Sequence, residues 1–579
     1  MSKIAWFEWG QDAFEKARSS GKPILLDITG SWCHWCHVMD DTSYSDPVIV
    51  SVVNKNFIPV RVDTDKRPDV NRRYNLGGWP TTAFLDGEGR IITGGTYIPP
   101  QQLRDVLRSV LDFYSTNKGK VRSKLQAPRI PTPKAEPLSE KITRDISTTI
   151  AVNFDIDYGG FGFEPKFPHA EALDYALLRY RYHGEKEMLT VATRTLDRMA
   201  NGGIYDQVEQ GFFRYSTTRD WSVPHFEKMA EDNAKLLTVY LQAYQLTAKT
   251  LYKEKAEGIV KYVQTNLSDQ DRGGFFGSQD ADEEYYKQDL DARKSLKAPA
   301  VDRTLYTNYN ALLVSSFLLA STLLEKETIG KFALKTLDRI LSLGKKGSLP
   351  FRYWKDEESS MLKGMLTDYA TLLNSLIDAY EYSGRTQYLE KARLIADDLI
   401  EKLNDETLGG FYDIPPSDLD LGELNTRDKP IDENSLAALG LLRLSWITGE
   451  NAYFTTAGRT LELFNQEYER YGLGAAIYAL ALDSYLNGPL GITIIAASAS
   501  KEFTEFKNNA LNLYSARRYL VYLDPDRDSD RITRLGYVVE SSPAAYICVG
   551  KTCGPPIREP SRIEATLASL LEARPLTTS

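Results

Sequence analysis

The chain has 579 residues and so asks for several domains, because one hydrophobic core stops growing well short of that length. Acids outnumber bases, 79 to 70, for a net charge of −9, which is no footprint for nucleic acid. Four cysteines cannot staple so long a chain, and 39 Gly with 26 Pro is ordinary usage. Disulfide-scaffold, collagen-like and largely disordered classes are thereby excluded.

The longest apolar run, Ala311 to Leu324, is broken by Ser315, Ser316, Ser321 and Thr322 and stops at Glu325. It is too short and too polar to span a bilayer, so no membrane partner is expected. Glu8, Asp12 and Glu15 interrupt any signal-peptide core. The expected location is cytoplasmic, where a cysteine pair is more often catalytic or metal-binding than a permanent staple.

Residues 1–118 alternate helix and strand. A helix is expected over Trp9 to Ser20, closed by Gly21, then short strands at Pro23–Ile28 and Phe57–Val62. Thr81–Leu85 and Arg90–Thr93 flank Asp86-Gly87-Glu88-Gly89, a hairpin signal, since glycine supplies the positive φ that tight loops need. Gln101–Thr116 is a closing amphipathic helix. Residues 119–139 hold Pro128, Pro131, Pro133 and Pro137 among charges and are expected to be a linker.

Residues 140–487 are patterned almost wholly as helix. The strongest stretches are Ala170–Tyr182, Asn233–Leu251, Tyr309–Leu324, Asp368–Tyr382 and Ser435–Thr448. Glycine–aromatic signals punctuate them: Gly159-Gly160-Phe161, Gly202-Gly203-Ile204-Tyr205, Gly273-Gly274-Phe275, Phe351-Arg352-Tyr353-Trp354, Gly409-Gly410-Phe411 and a weak echo at Leu473-Gly474. A unit recurring about every two helices predicts six helical hairpins closed into an (α/α)6 barrel, the signals together at one end. An irregular bundle with glycine C-caps is the competing arrangement. Residues 488–579 read as a small α/β segment: strands at Ile492–Ala496, Tyr519–Leu523 and Ala545–Val549, helices at Lys501–Leu513 and Ile563–Leu571.

Cys33-His34-Trp35-Cys36 follows the first strand. A cysteine at a helix N-terminus meets unpaired N–H groups that favour its thiolate, and one three residues on can resolve a mixed disulfide. With His37 the run also matches a haem-attachment pattern, which would normally require export. The same ligand types could hold zinc, but a closed zinc site usually draws on a second cluster, and Cys548 and Cys553 are the only other cysteines. No metal and no cofactor is assigned. Cys548 and Cys553 could form a second redox pair; a buried free thiol is the default for each.

The stretch resembles the thioredoxin fold in Asp27, Trp32, Cys33, Cys36 and Trp79-Pro80. The resemblance implies Cys33 as nucleophile, Cys36 as resolving thiol, Asp27 as the buried acid that moves a proton to or from Cys36, and a cis Trp79-Pro80 peptide. Trp79 would then present its backbone to an extended client strand, with Trp32, His34 and Trp35 beside it. His34-Trp35 replaces the usual Gly-Pro, and Arg61 stands where a lysine usually neighbours the acid. A cation there should favour thiolate.

A second polar–aromatic set lies in the helical part. It comprises Asp206, Gly211-Phe212-Phe213-Arg214-Tyr215-Ser216, Pro224-His225-Phe226-Glu227-Lys228-Met229, Pro165-Lys166-Phe167-Pro168-His169, Asp280-Ala281-Asp282 and Asp368-Tyr369-Ala370. Carboxylates with histidines suit acid–base work on sugars. His169, Asp206, His225, Glu227, Asp280, Asp282 and Asp368 are the candidate binding residues, and a sugar-like ligand is the candidate occupant. Of the five histidines, His183 sits in a stretch that reads as exposed. Helix capping for His225 and a solvated turn for Asp280 and Asp282 are the plain alternatives.

Taken in order, these motifs are similar to those of the thioredoxin-domain proteins related to the spermatogenesis-associated thioredoxin-like protein, a family with bacterial and archaeal members of the YyaL type. The resemblance covers nearly the whole chain. It implies a thioredoxin-like domain followed by a barrel similar to six-hairpin glycosidases and N-acylglucosamine 2-epimerases. Gln279 departs from the acid common before Asp-Ala-Asp, which weakens an acid–base pair there; Glu209-Gln210 and Ile431-Asp432-Glu433 depart as well. The expected activity is dithiol–disulfide exchange at Cys33/Cys36 on a protein client with a disulfide or thiol. The alternatives are a carbohydrate-active barrel carrying a redox module and a non-catalytic binding protein.

Overall fold

In a computed structural model, residues 3–117, 131, 136–343, 350–355, 358–359, 362–416, 421–514, 516–538, 542–550 and 552–572 are described. Most of the expected 119–139 linker lies outside them.

The first domain is a four-stranded sheet of order β2-β1-β3-β4, with β1 (Ile24–Thr29), β2 (Ile58–Asp63), β3 (Thr81–Leu85) and β4 (Ile91–Gly95). β1 runs parallel to β2 and antiparallel to β3. β1 is buried on both faces, which is why it reads as an unbroken apolar run. Its alternation sorts the core. Ile24, Leu26 and Ile28 join Phe14 and Ala17 of α1 (Gln11–Ser20) and Val70 and Tyr74 of α4 (Pro68–Tyr74). Leu25 points the other way, to Met39 of α2 (His34–Asp41), Ile49 of α3 (Pro47–Asn56) and Leu103 of α5 (Pro100–Asn117). Gly21 ends α1 at φ 64° and donates to Ala17 and Arg18, a conformation that spares a residue without Cβ.

Six further helices form a closed inner ring: Ala170–His183, Ala230–Thr247, Thr307–Leu323, Leu366–Ser383, Ile431–Thr448 and Ala476–Asn487. Each touches the next and the last returns to the first. An outer helix backs each one, and the barrel is therefore an (α/α)6 closure rather than an irregular bundle. Inner helices bury residues around most of their circumference, while outer helices such as Lys186–Asn201 bury one face. The expected helix Asn233–Leu251 is two: Ala248, at φ 54°, turns the chain, and a new helix starts at Thr250.

At one end the connections are short. At the other, long loops carry a repeated clamp. The N–H of Asp155, Asp206, Asp269 and Asp405 donates to the carbonyl of Gly160, Gly211, Gly274 and Gly410 respectively. Lys166, Lys228 and Lys429 close on the first, second and fourth carboxylates at 2.7 Å, and Arg339 on the third at 3.0 Å. The second unit is thus Gln210-Gly211-Phe212 and not the expected Gly202-Gly203-Ile204-Tyr205. The geometry needs positive φ before the aromatic residue, and Gln210 (71°) and Gly211 (74°) supply it. Asn233, Asn310 and Asn434 then hold the amides of Phe212, Phe275 and Phe411.

The C-terminal segment is a second small sheet, Leu490–Ile495 flanked by Arg518–Leu523 and Ala544–Val549. It docks on the short-turn end, where Phe503 and Tyr522 stack at Gly384 and Tyr380. Cys548 and Cys553 stand directly opposite in a two-stranded ladder and are bonded, so neither is the buried free thiol expected by default.

Candidate functional site

The thioredoxin-like domain sits on the long-loop end of the barrel. Arg73 of α4 pairs with buried Asp413 at 2.8 Å and also donates to the Thr426 carbonyl at 2.8 Å. Tyr309 Oη donates to Asp65 Oδ1 at 2.8 Å, and buried Arg352 donates to the Asp65 carbonyl at 2.9 Å. Barrel residues Met365, Ile414 and Leu424 complete the apolar cluster under α1 and α4. The two modules therefore share a core.

Cys33 caps α2. Its sulfur accepts the Cys36 N–H at 3.2 Å and is bonded to the Cys36 sulfur. Trp79-Pro80 is cis. Asp27 is buried on β1, opposite Arg61 on β2, and the cross-strand register sets Asp27 Oδ2 2.7 Å from Arg61 Nε. Burial pushes the Asp27 carboxyl up to about 6, against the pull of Arg61. Arg61 also donates to Asp40 at 3.2 Å, so its charge is spent on two carboxylates rather than left for a thiolate, as the sequence reading expected.

Both cysteines are buried, each only 3% exposed, beside Trp32 and under Met229 of the barrel, with Trp79 at the edge. The Arg214 guanidinium lies 4.3 Å from the Trp32 ring and 5.0 Å from the Trp79 ring. Arg214 pairs with Glu227 at 3.2 Å, and Glu227 lies 3.3 Å from His225 Nδ1. On the other flank His37 Nδ1 is 3.4 Å from Asp280, whose carboxyl burial raises while His37 opposes. His34 and Trp35 are exposed at the rim. Two sets that read as separate sites in sequence thus meet: Asp280 of the barrel faces His37 of α2, and Glu227, beside His225, reaches Trp32 and Trp79 through Arg214.

The remaining candidates lie elsewhere. Asp206 belongs to a loop clamp; burial works to raise its carboxyl, but Lys228 and Arg293 outweigh it and hold it below the ordinary range. Lys228 is itself pushed down to about 8 by burial. Asp282 caps a short helix through the Tyr285 N–H. Asp368 accepts the Met365 N–H and pairs with Arg352. His169 starts an inner helix in the left-handed region, between Phe161 and Phe167, and burial lowers its pKa. His183 is not in the open as expected: its Nε2 lies 2.5 Å from fully buried Asp483, and Glu140 completes a set of ligand-type groups. Arg179 stands 3.8 Å from both of those carboxylates, so a cation already meets their charge.

Sequence reading placed Arg214 and Met229 in its polar–aromatic stretch and Arg352 in a glycine–aromatic signal but gave none of them a role at the cysteines, took Tyr309 only as a helix start, and passed over Asp65. Asp65 is buried, accepts Trp32 Nε1 at 2.8 Å, and burial with the charge of Asp63 pushes it up to about 7. The available signal was an arginine set among aromatics, Phe213-Arg214-Tyr215. Reading also missed a cavity of about 400 Å³ inside the ring. Glu171, Glu231, Lys235, Asn308, Glu433 and Arg443 are among its walls, and Leu511, Leu513, Tyr514 and Arg518 of the C-terminal segment line it too. None of the seven expected barrel residues lines it. Its signal was charge on inner helices otherwise apolar all round.

Fold and site together define a class: a thioredoxin-like domain with a bonded Cys-x-x-Cys pair, joined to an (α/α)6 barrel. The family model Thioredox_DsbH, described as a protein of unknown function, DUF255, matches residues 1–129. Over 97% of its length the chain is 27% identical to spermatogenesis-associated protein 20 of Homo sapiens, covering 90% of that protein. Over 14% of its length it is 38% identical to thioredoxin H-type of Fagopyrum esculentum, covering 63% of that protein. Among solved structures, D-mannose isomerase aligns with TM-score 0.47 and 14% identity, over 57% of this chain and 87% of that one. The chain is thus similar to spermatogenesis-associated protein 20 over nearly its whole length, and its N-terminal domain is thioredoxin-like. Among the described residues no helix is long and apolar enough to cross a membrane.

Proposed function

We propose that the protein is a dithiol–disulfide oxidoreductase working through Cys33 and Cys36. The observation that carries this is the Cys33 sulfur at the N-terminus of α2, in hydrogen-bond reach of the Cys36 N–H. An N–H donor and the helix dipole stabilise negative charge on that sulfur. In the reduced protein the Cys33 thiolate attacks a disulfide, one sulfur of the substrate leaves as a thiolate, and a mixed disulfide forms. The Cys36 thiol then loses its proton and attacks the Cys33 sulfur, releasing the second substrate thiolate and forming the Cys33–Cys36 bond. Asp27, with its carboxyl near 6, is the group suited to take the Cys36 proton near neutral pH.

The test is steady-state reduction of glutathione disulfide by the full chain with a dithiol reductant as electron source. Turnover is expected to vanish in Cys33→Ser; a Cys33→Ser protein that keeps the wild-type rate contradicts the reading.

A second reading is supported by the cavity in the ring: its walls of carboxylates, amides and bases suit a polyhydroxylated ligand such as a sugar. A sugar panel scored by thermal shift tests it. Stabilisation by a sugar that Asn308→Leu abolishes is the expected result, and no shift across the panel is the contrary one.

A further inference from the structure

We propose that the immediate partner of the redox centre is a low-molecular-weight disulfide and not a folded protein. This rests on the dithiol–disulfide reading above and narrows its substrate class, against the protein client expected from sequence.

Three observations carry it. First, both sulfurs are closed off, at 3% exposure each, although Trp35 beside them is 48% exposed. Second, the barrel side chains at this cluster are long and unbranched. Met229 packs on Cys33 and Cys36, and the Arg214 guanidinium lies over Trp32 and Trp79. Rotation of such side chains costs little and opens a gap for a small molecule at the His34–Trp35 rim. Third, a folded client needs far more. Its extended segment would have to lie along Trp79, where the barrel now stands, so the whole barrel would have to leave. That separation breaks the buried Arg73–Asp413 pair, the Arg352 bond to the Asp65 carbonyl and the Tyr309–Asp65 bond, and exposes the apolar cluster that Met365, Ile414 and Leu424 complete. Parting the domains gives up these bonds together and returns that apolar surface to water, so the docked state persists. Small disulfides then reach the sulfurs through side-chain motion alone.

The electron balance is that of the exchange itself. One small disulfide and the two thiols of Cys33 and Cys36 become two small thiols and the Cys33–Cys36 bond, with no other oxidant or reductant in that half-reaction.

The experiment uses the full chain, reduced with a dithiol and desalted without oxygen. It is mixed in separate arms with glutathione disulfide, with hydroxyethyl disulfide and with insulin, and reoxidation of the Cys33–Cys36 pair is followed by alkylation and mass. The small disulfides are expected to react on the order of tenfold faster than insulin, or more. Asp413→Ala, which loosens docking, is expected to narrow that ratio by raising the insulin rate. Met229→Ala is expected to raise the small-disulfide rates with the insulin rate unchanged. Insulin reacting with the wild-type chain as fast as the small disulfides overturns this inference and leaves the dithiol reading standing. No reaction in any arm, in wild type and Asp413→Ala alike, overturns the dithiol reading and this inference with it.

Discussion

Asp27 shows how one side chain sets a pH dependence. Its carboxyl is pushed from the ordinary 3.8 to about 6 because burial penalises the charged form more than Arg61 favours it. A raised acid binds more protons in the folded state, so its effect on stability is nil well below pH 3.8. The cost grows as pH climbs to about 6 and is constant above that, on the order of 3 kcal/mol. Asp27→Asn removes this term. Chemical denaturation of the oxidised protein is expected to show stability falling with pH between 3.8 and 6 in wild type and a flatter profile in the variant; equal slopes would refute the assignment. The Cys33–Cys36 pair and the cis Trp79-Pro80 peptide were legible because they lie within one short domain and keep a fixed spacing. Arg214 and Met229 were not. They meet the cysteine cluster only through the docking of another domain, and the local pattern Phe213-Arg214-Tyr215 does not say which surface it docks against.

Among the elements, four loop clamps tie the long loops to the ring of helices. Asn434 illustrates their economy: its side-chain amide accepts the Phe411 N–H and donates to the Phe411 and Pro430 carbonyls. Asn434→Ala leaves those buried groups without partners, and the expected destabilisation is about 1–3 kcal/mol, read from the denaturation midpoint at constant m-value. Asn434→Asp, which sets a buried carboxylate against the Phe411 and Pro430 carbonyls, is expected to cost at least as much; a loss below about 0.5 kcal/mol for the alanine variant would count against the clamp. Sequence periodicity showed most of the inner helices and the glycine–aromatic signal, since both are local. It misplaced the second unit by taking the more conspicuous Gly202-Gly203 pair over Gln210-Gly211, because a non-glycine residue can also occupy the positive-φ position. It also ran one helix into the next at Ala248, where an alanine makes the turn and leaves no glycine or proline to mark it.

For the whole molecule, the interface between thioredoxin-like domain and barrel decides behaviour. Arg73 and Asp413 are both buried and bonded to each other across it. Removing one partner strands the other, at a cost of about 3–5 kcal/mol. Arg73→Ala is therefore expected to split the thermal unfolding of the chain into two transitions, the first from the N-terminal domain, by calorimetry and limited proteolysis. A single transition at the wild-type temperature would argue that the domains are not energetically coupled through this pair. Arg73→Lys is not expected to rescue it fully, since lysine cannot hold both Asp413 and the Thr426 carbonyl in a planar fork. Domain order was legible from composition and motif. The burying of the redox centre between domains was not, since it follows from tertiary placement of residues far apart in the chain.

The most direct test of the account is an equilibrium redox titration of the full chain in glutathione buffers, read by intrinsic tryptophan fluorescence, because Trp32 and Trp79 lie against the sulfurs. The account predicts one reversible two-electron transition that Cys33→Ser abolishes and that Cys36→Ser replaces by a glutathione mixed disulfide on Cys33, detected by mass, while Cys548→Ser leaves it in place. A fluorescence transition that survives Cys33→Ser, or a Cys33–Cys36 pair that exchanges with no thiol across the whole range, would contradict it.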